Sequence, residues 1–206
     1  MSPRPYRLGQ RQATTEQTHA RILTAARELL MAADGFSGFS IDAVARKADV
    51  ARMTVYHQFG SKIGLLEALS DSLAAYGGME HLANAFRRPE PLDALDEFIT
   101  VFSGFWNADR LVMRRLRALA TLDPDFEQVV RARDERRRHG LRVIAGRLVE
   151  KYGRPAPEAF DEAVDVLYTL LSFESFDTLA GPTRSIEEVT LVVRRLAHAA
   201  LGLNKG

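Results

Sequence analysis

The sequence predicts an all-α protein: an N-terminal three-helix helix-turn-helix domain followed by a larger C-terminal helical domain. Three observations carry this. Apolar residues recur at helical spacing through most of the 206 residues, and no stretch shows the strict alternation of a half-buried strand. Glycines, prolines and capping residues punctuate the helical stretches. Residues 40–69, SIDAVARKADVARMTVYHQFGSKIGLLEAL, read as two short helices, a tight turn and the start of a third.

In chain order, Thr14 and Gln17 have capping-box spacing, and Ile22, Ala26, Leu29 and Leu30 follow on one helical face. Asp34-Gly35 is the expected stop, with Phe36 and Phe39 plugging the core from the connection. Ser40 is placed to cap a second helix whose inward stripe is Ile41, Val44, Ala45 and Ala48. The turn falls at Asp49-Val50, and a third helix runs from about Ala51 to Phe59. Gly60 ends it, and Ser61 caps a long fourth helix through Leu65, Leu66 and Leu69. Gly77-Gly78 and the stretch Arg87 to Pro91 predict a loop. The domain boundary is therefore placed in the 70–90 region, giving domains 12–70 and 71–206.

Further helices are expected at about 92–106, 108–120, 124–152, 158–179 and 186–203. Pro124 suits a first helical position, Ser185 and Glu188 form a capping box, and Gly181-Pro182 separates the last two helices.

Composition narrows the function classes. Without cysteine there is no disulfide, thiolate zinc site or cysteine nucleophile, and a reducing cytoplasmic location fits. No apolar run approaches a membrane span, and MSPRPYRLGQRQ lacks the apolar core of a secretory signal. Net charge is only +1, but residues 1–70 hold nine Lys/Arg against six Asp/Glu, with Arg4, Arg7 and Arg11 at the front. A basic front end suits attraction to phosphate.

The third helix has an unusual outer face. On a wheel of about 100° per residue, Ala51, Val55 and Phe59 share the core side. Met53, Thr54, Tyr56 and His57 lie opposite or on the flanks. Hydroxyls and imidazole can bond phosphates or base edges, and a methionine can pack on a thymine methyl. Arg52 reaches such a surface only by its long stem. Lys62 opens the fourth helix, where backbone N–H groups and a cation could hold a phosphate together. Taken singly, Tyr56 also suits a rim contact with the first helix, and His57 an ordinary surface position.

Residues 20–69 resemble the N-terminal domain of TetR-family transcriptional regulators. The resemblance is carried by Ile22, Ala25, Ala26, Leu29, Gly35, Phe36, the Ser40–Ala48 helix, and Val55-Tyr56-His57-Gln58-Phe59-Gly60-Ser61-Lys62 followed by Leu65-Leu66. It implies a homodimer that sets two recognition helices in successive major grooves of a palindromic operator in double-stranded DNA. It implies DNA contacts at Ser40, Arg52, Met53, Thr54, Tyr56, His57 and Lys62. It also implies a larger helical domain that binds a small molecule and changes the spacing of those helices, most simply as a repressor released by its ligand. Four positions depart from the family pattern: Asp49 replaces a frequent glycine, Ala51 a Ser or Thr, Gln58 a His and Ile63 a Glu. An acid at 49 weakens DNA binding unless it caps the third helix.

The larger domain carries no family-wide motif. Phe98, Val101, Phe102, Phe105 and Trp106 cluster at helical spacing, with more aromatic and methionine residues beyond them. Such walls suit an apolar ligand pocket, although taken residue by residue such a stripe is more often plain core. Phe102, Trp106, Met113, Tyr168 and Phe173 are the pocket candidates, and Trp106 and Tyr168 each add a polar handle. The last two helices carry broad apolar faces (Val164, Leu167, Leu171 and Phe173; Val189, Val192, Val193, Leu196 and Ala200), the pair through which the resemblance implies dimerisation. If both helices are instead buried within one monomer, Arg194, Arg195 and His198 are surface groups only. The basic stretch Arg131–Arg142, RARDERRRHGLR, reads as a solvated face partnered by Asp134 and Glu135.

No catalytic residues, metal ligands or cofactor motif stand out: the five histidines are scattered, and there is no phosphate-cradling glycine loop or nucleophile elbow. Glu174 and Asp177 share a helix face near Tyr168 and could hold a cation, but such pairs serve more often in salt bridges. Two other classes remain: a DNA-binding dimer that needs no ligand, and a helical binding protein or enzyme that has lost DNA binding.

Overall fold

The computed structural model describes residues 4–32 and 38–203, with side chains from residue 13 onward apart from Pro157. Eleven α-helices and no strand are found among them. They are α1 (Arg4–Met31), α2 (Ile41–Lys47), α3 (Arg52–Phe59), α4 (Lys62–Tyr76), α5 (Leu82–Arg87), α6 (Pro91–Asn107), α7 (Arg110–Leu122), α8 (Pro124–Tyr152), α9 (Phe160–Leu170), α10 (Phe173–Ala180) and α11 (Ile186–Ala200). The all-α expectation is met. Asp34, Gly35 and Phe36 lie outside the described residues, as do the side chains of Arg4, Arg7 and Arg11.

Contacts divide the chain into two units. The first joins Met1–Asp71 with Arg114–Glu127, and the second joins Ser72–Met113 with Gln128–Gly206.

In the first unit α1 buries Ile22, Ala26 and Leu30, α2 buries Val44 and Ala45, and α4 buries Leu65, Leu66 and Leu69. The long α1 corrects the sequence reading. Thr14 lies inside the helix rather than at its start, and its carbonyl accepts from the Thr18 hydroxyl at 2.8 Å. Pro5 falls in the first turn, where a missing N–H is harmless, so nothing before Thr14 forces a start. At the far end, the Arg115 guanidinium of α7 donates to the carbonyls of Leu30 and Ala32. It thereby satisfies acceptors that a helix end leaves open.

In the second unit α6 is the central helix. Leu95, Phe98 and Ile99 are fully buried, and α5, α10 and α11 pack around it. After α4 the chain lies directly on α6. A Cβ on Gly77 would stand 2.5 Å from the Phe105 Cα, so only glycine fits there. The predicted loop over 77–91 is a 3-10 turn, Met79–His81, followed by α5. The helix expected over 158–179 is two, α9 and α10. Ser172 breaks it by accepting from the Ser175 N–H at 3.1 Å, which caps α10. The capping box at Ser185 and Glu188 forms as expected, with both reciprocal bonds present.

Candidate nucleic-acid interface and helical-domain cavity

The α2–turn–α3 segment is built from local chemistry. Ser40 Oγ accepts from the Ala43 N–H at 3.1 Å and starts α2. The turn is made by Asp49, which adopts φ 51°, the left-handed region that explains why glycine suits this position. Asp49 does not cap α3: the cap is Ala51, with no side-chain bond. The Asp49 carbonyl instead accepts from Arg21 of α1 at 3.1 Å. Gly60, at φ 73°, ends α3, and Ser61 Oγ accepts from the Gly64 N–H at 3.0 Å to begin α4.

Val55 anchors α3 and is wholly buried, while Phe59 is half-buried with its ring 4.6 Å from His19 of α1. Ala51, expected in the core, is exposed, because it sits at the cap rather than in a helical turn. The opposite face presents Arg52, Met53 and His57 exposed, with Thr54 and Tyr56 half-buried. Met53 is 58% exposed, a large apolar side chain left in solvent on the helix that the sequence singled out.

Arg52 is not extended. Its guanidinium lies 3.3 Å from Asp42 of α2, donates to the Tyr56 hydroxyl at 3.3 Å, and sits 5.5 Å from the centre of the Tyr56 ring. The hydrogen bond to Tyr56, then the Asp42 charge, raise its pKa above the usual guanidinium value. Arg52 and Tyr56 thus act as one surface group. Lys62, at the first turn of α4, lies 3.5 Å from Asp123. Asp123 also accepts from the Phe126 N–H at 3.4 Å and starts α8. Sequence reasoning missed both pairings. Asp42 and Asp123 carry no local signal that identifies their partners.

The second unit contains a cavity of about 500 Å³. Phe86, Phe98, Phe102, Phe105 and Trp106 form much of its wall. Arg133, Asp134, Arg136 and Arg137 of α8 supply charge. Of the five pocket candidates, Phe102 and Trp106 line this space. Met113 and Phe173 are buried elsewhere in the packing, with the Phe173 ring 5.7 Å from Trp106. Tyr168 does not line it but stacks 4.6 Å from the Arg137 guanidinium. The polar handle of Trp106 is already used, since Nε1 donates to the Leu171 carbonyl at 3.0 Å where α9 ends.

The last helices are partly internal. Val164, Leu167, Val189 and Val193 are buried within the protomer, whereas Val166, Leu191 and Leu196 remain exposed. Arg194 donates to Thr100 Oγ1 at 2.5 Å, and His198 lies 2.8 Å from Asp96, so both tie α11 to α6. Asp177 is held by Arg110 at 2.8 Å, a salt-bridge role rather than a cation site. Among the described residues no group of three or more His, Asp or Glu is placed to hold a metal ion. Nor is any helix there long and apolar enough to cross a membrane.

Residues 22–69 match the family model of bacterial regulatory proteins, tetR family. No curated protein matches the chain. Among solved structures, a TetR transcription regulator from Haloarcula marismortui is 17% identical with a TM-score of 0.68, over 91% of this chain and 97% of that one. The TetR family regulator PfmR from Thermus thermophilus is 22% identical at 0.64, over 90% and 100%. A transcriptional regulator from Rhodococcus is 20% identical at 0.65, over 89% and 96%. Residues 22–69 are therefore similar to the N-terminal domain of bacterial regulatory proteins of the tetR family, and the chain has the fold of TetR-family transcriptional regulators.

Proposed function

We propose that this protein is a sequence-specific DNA-binding regulator, acting as a homodimeric repressor that a small molecule releases from a palindromic operator. The observation that carries the reading is the outer face of α3. Val55 fixes the helix from behind, while Arg52, Met53, Tyr56 and His57 stand on or beside its exposed side. A helix rooted by its apolar side, with hydrogen-bonding and methyl-packing groups outward, is built to read a major groove. Ser40 and Lys62, each at a helix start, suit phosphate contacts that fix register. On this reading the domain division is 12–70 for DNA and 71–206 for ligand and dimer.

Exposed Val166, Leu191 and Leu196 on α9 and α11 supply an apolar face for a second copy. The cavity beside Phe102 and Trp106 favours a ligand-responsive protein over a constitutive binder. Ligand can release DNA only by binding better to the state whose helices are misplaced, a coupling of typically about 1–3 kcal/mol.

Selection of bound sequences from random duplex DNA at physiological salt tests this. A recovered palindrome with half-sites roughly one helical turn apart is the expected result. Absence of any enrichment would refute sequence-specific binding.

A further inference from the structure

Asp42 is an acid in a place where DNA binding favours none. It lies in the first turn of α2, two residues after Ser40. An acid there suits the helix dipole, yet beside DNA it repels phosphate. Its partner is Arg52, the first residue of α3, at 3.3 Å. Both side chains are more than half exposed, and a pair so exposed adds little to stability. The contact therefore has small structural worth in the free protein.

Its effect is on the guanidinium. Asp42 faces one terminal nitrogen of Arg52, and the Tyr56 hydroxyl accepts from the other at 3.3 Å. The centre of the Tyr56 ring is 5.5 Å from the guanidinium carbon. Asp42 from α2 and Tyr56 from the next turn of α3 thus fix the fork. Its remaining N–H groups still offer a pair of donors to an acceptor. Residues at the start of a recognition helix are the ones that reach base edges.

An arginine beside DNA has two kinds of acceptor. Phosphates occur at every step and carry no sequence information. Guanine O6 and N7 accept a fork only where a guanine stands. Asp42 separates the two cases. Arg52 cannot close on a phosphate without carrying the Asp42 carboxylate towards the same negative charge, or else breaking the pair. A guanine edge has no net charge and sets up no such repulsion. The fixed fork also has less rotamer freedom left to lose on binding.

We propose that Asp42 is a positioning residue that sets sequence specificity: it withholds Arg52 from the DNA backbone and presents the Arg52–Tyr56 pair to a guanine in the major groove. This rests on the reading of α3 as the DNA-reading helix.

The test uses the full-length protein and the variants Asp42→Asn, Asp42→Glu, Arg52→Gln and Asp42→Asn/Arg52→Gln, each first shown to melt cooperatively. Asp42→Ser replaces Asp42→Asn if the latter does not. The parent selects a sequence from random duplex DNA. Every protein is then titrated with that duplex, with duplexes changed at single guanines, and with random duplex over a range of salt. Arg52→Gln should lose discrimination at one guanine by about fivefold or more. Asp42→Asn should lose most of the discrimination at that same guanine. It should also bind random duplex about threefold more tightly at low salt, with a salt slope steeper by roughly 1, as Arg52 turns to a phosphate. With Arg52 already replaced, the Asp42 change should neither steepen the slope nor alter base preference. Asp42→Glu keeps the charge and should keep most of the discrimination.

Four results overturn the proposal alone: Arg52→Gln losing no guanine preference, Asp42→Asn losing none, the steeper slope persisting without Arg52, or equal losses in Asp42→Asn and Asp42→Glu. The third would be the mere removal of an acid, and the fourth an effect of shape rather than charge. If the parent selects no sequence at all, the DNA-reading role of α3 falls and the proposal falls with it.

Discussion

Lys62 and Asp123 face each other at 3.5 Å, so the cation that opens α4 is held by the carboxylate that starts α8. A DNA phosphate at this position must compete with Asp123 for the ammonium. Lys62→Ala should weaken binding to specific and random DNA alike and lower the salt slope by roughly 1. Asp123→Asn keeps a capping oxygen but removes the competing charge, and should tighten binding at low salt. Salt titrations of both variants decide; an unchanged slope for Lys62→Ala would remove Lys62 from the phosphate contacts.

Tyr56 does two things, since its hydroxyl accepts from Arg52 and its ring supports the same guanidinium. Tyr56→Ala should abolish operator binding while leaving a folded dimer by circular dichroism and light scattering. Tyr56→Phe keeps the ring and should retain part of the affinity. If Tyr56→Ala binds as well as the parent, α3 does not read DNA through this face.

Asp49 carries a left-handed backbone at φ 51°. Asp49→Gly removes both that penalty and an acid from the turn, and should leave stability equal or higher by up to about 1 kcal/mol while raising DNA affinity. Asp49→Val, β-branched at positive φ, should destabilise by about 1–2 kcal/mol. Urea midpoints measure both.

Trp106 bonds the carbonyl that ends α9. Trp106→Leu should therefore alter the ligand response and also cost about 1–3 kcal/mol, because a buried acceptor loses its donor. DNA affinity without ligand should not change at temperatures where the variant is folded. A collapse of DNA binding there would make Trp106 structural rather than a ligand contact.

What the sequence revealed was what local chemistry decides. Ser40, Ser61 and Ser185 cap helices because each bonds an N–H three residues on, and Gly60 stops α3 by its own backbone freedom. Val55 is readable because helical spacing places it with the core. Arg115 and Arg137 were not readable. One closes α1 more than eighty residues earlier in the chain, and the other is buried among rings from α6 and α9, while both look like ordinary surface arginines in one dimension. The break at Ser172 was hidden for a related reason, since the surrounding run is apolar enough to suit one helix or two. Gly64 carried no signal either, because its neighbour is a backbone carbonyl.

That neighbour has a mechanical meaning. A Cβ at Gly64 would stand 2.0 Å from the Phe59 carbonyl oxygen, so the last turn of α3 rests on the first turn of α4 with no side chain between them. A side chain at residue 64 would have to displace the Phe59 carbonyl, so Gly64→Ala is accommodated only by moving the end of α3 away from the start of α4.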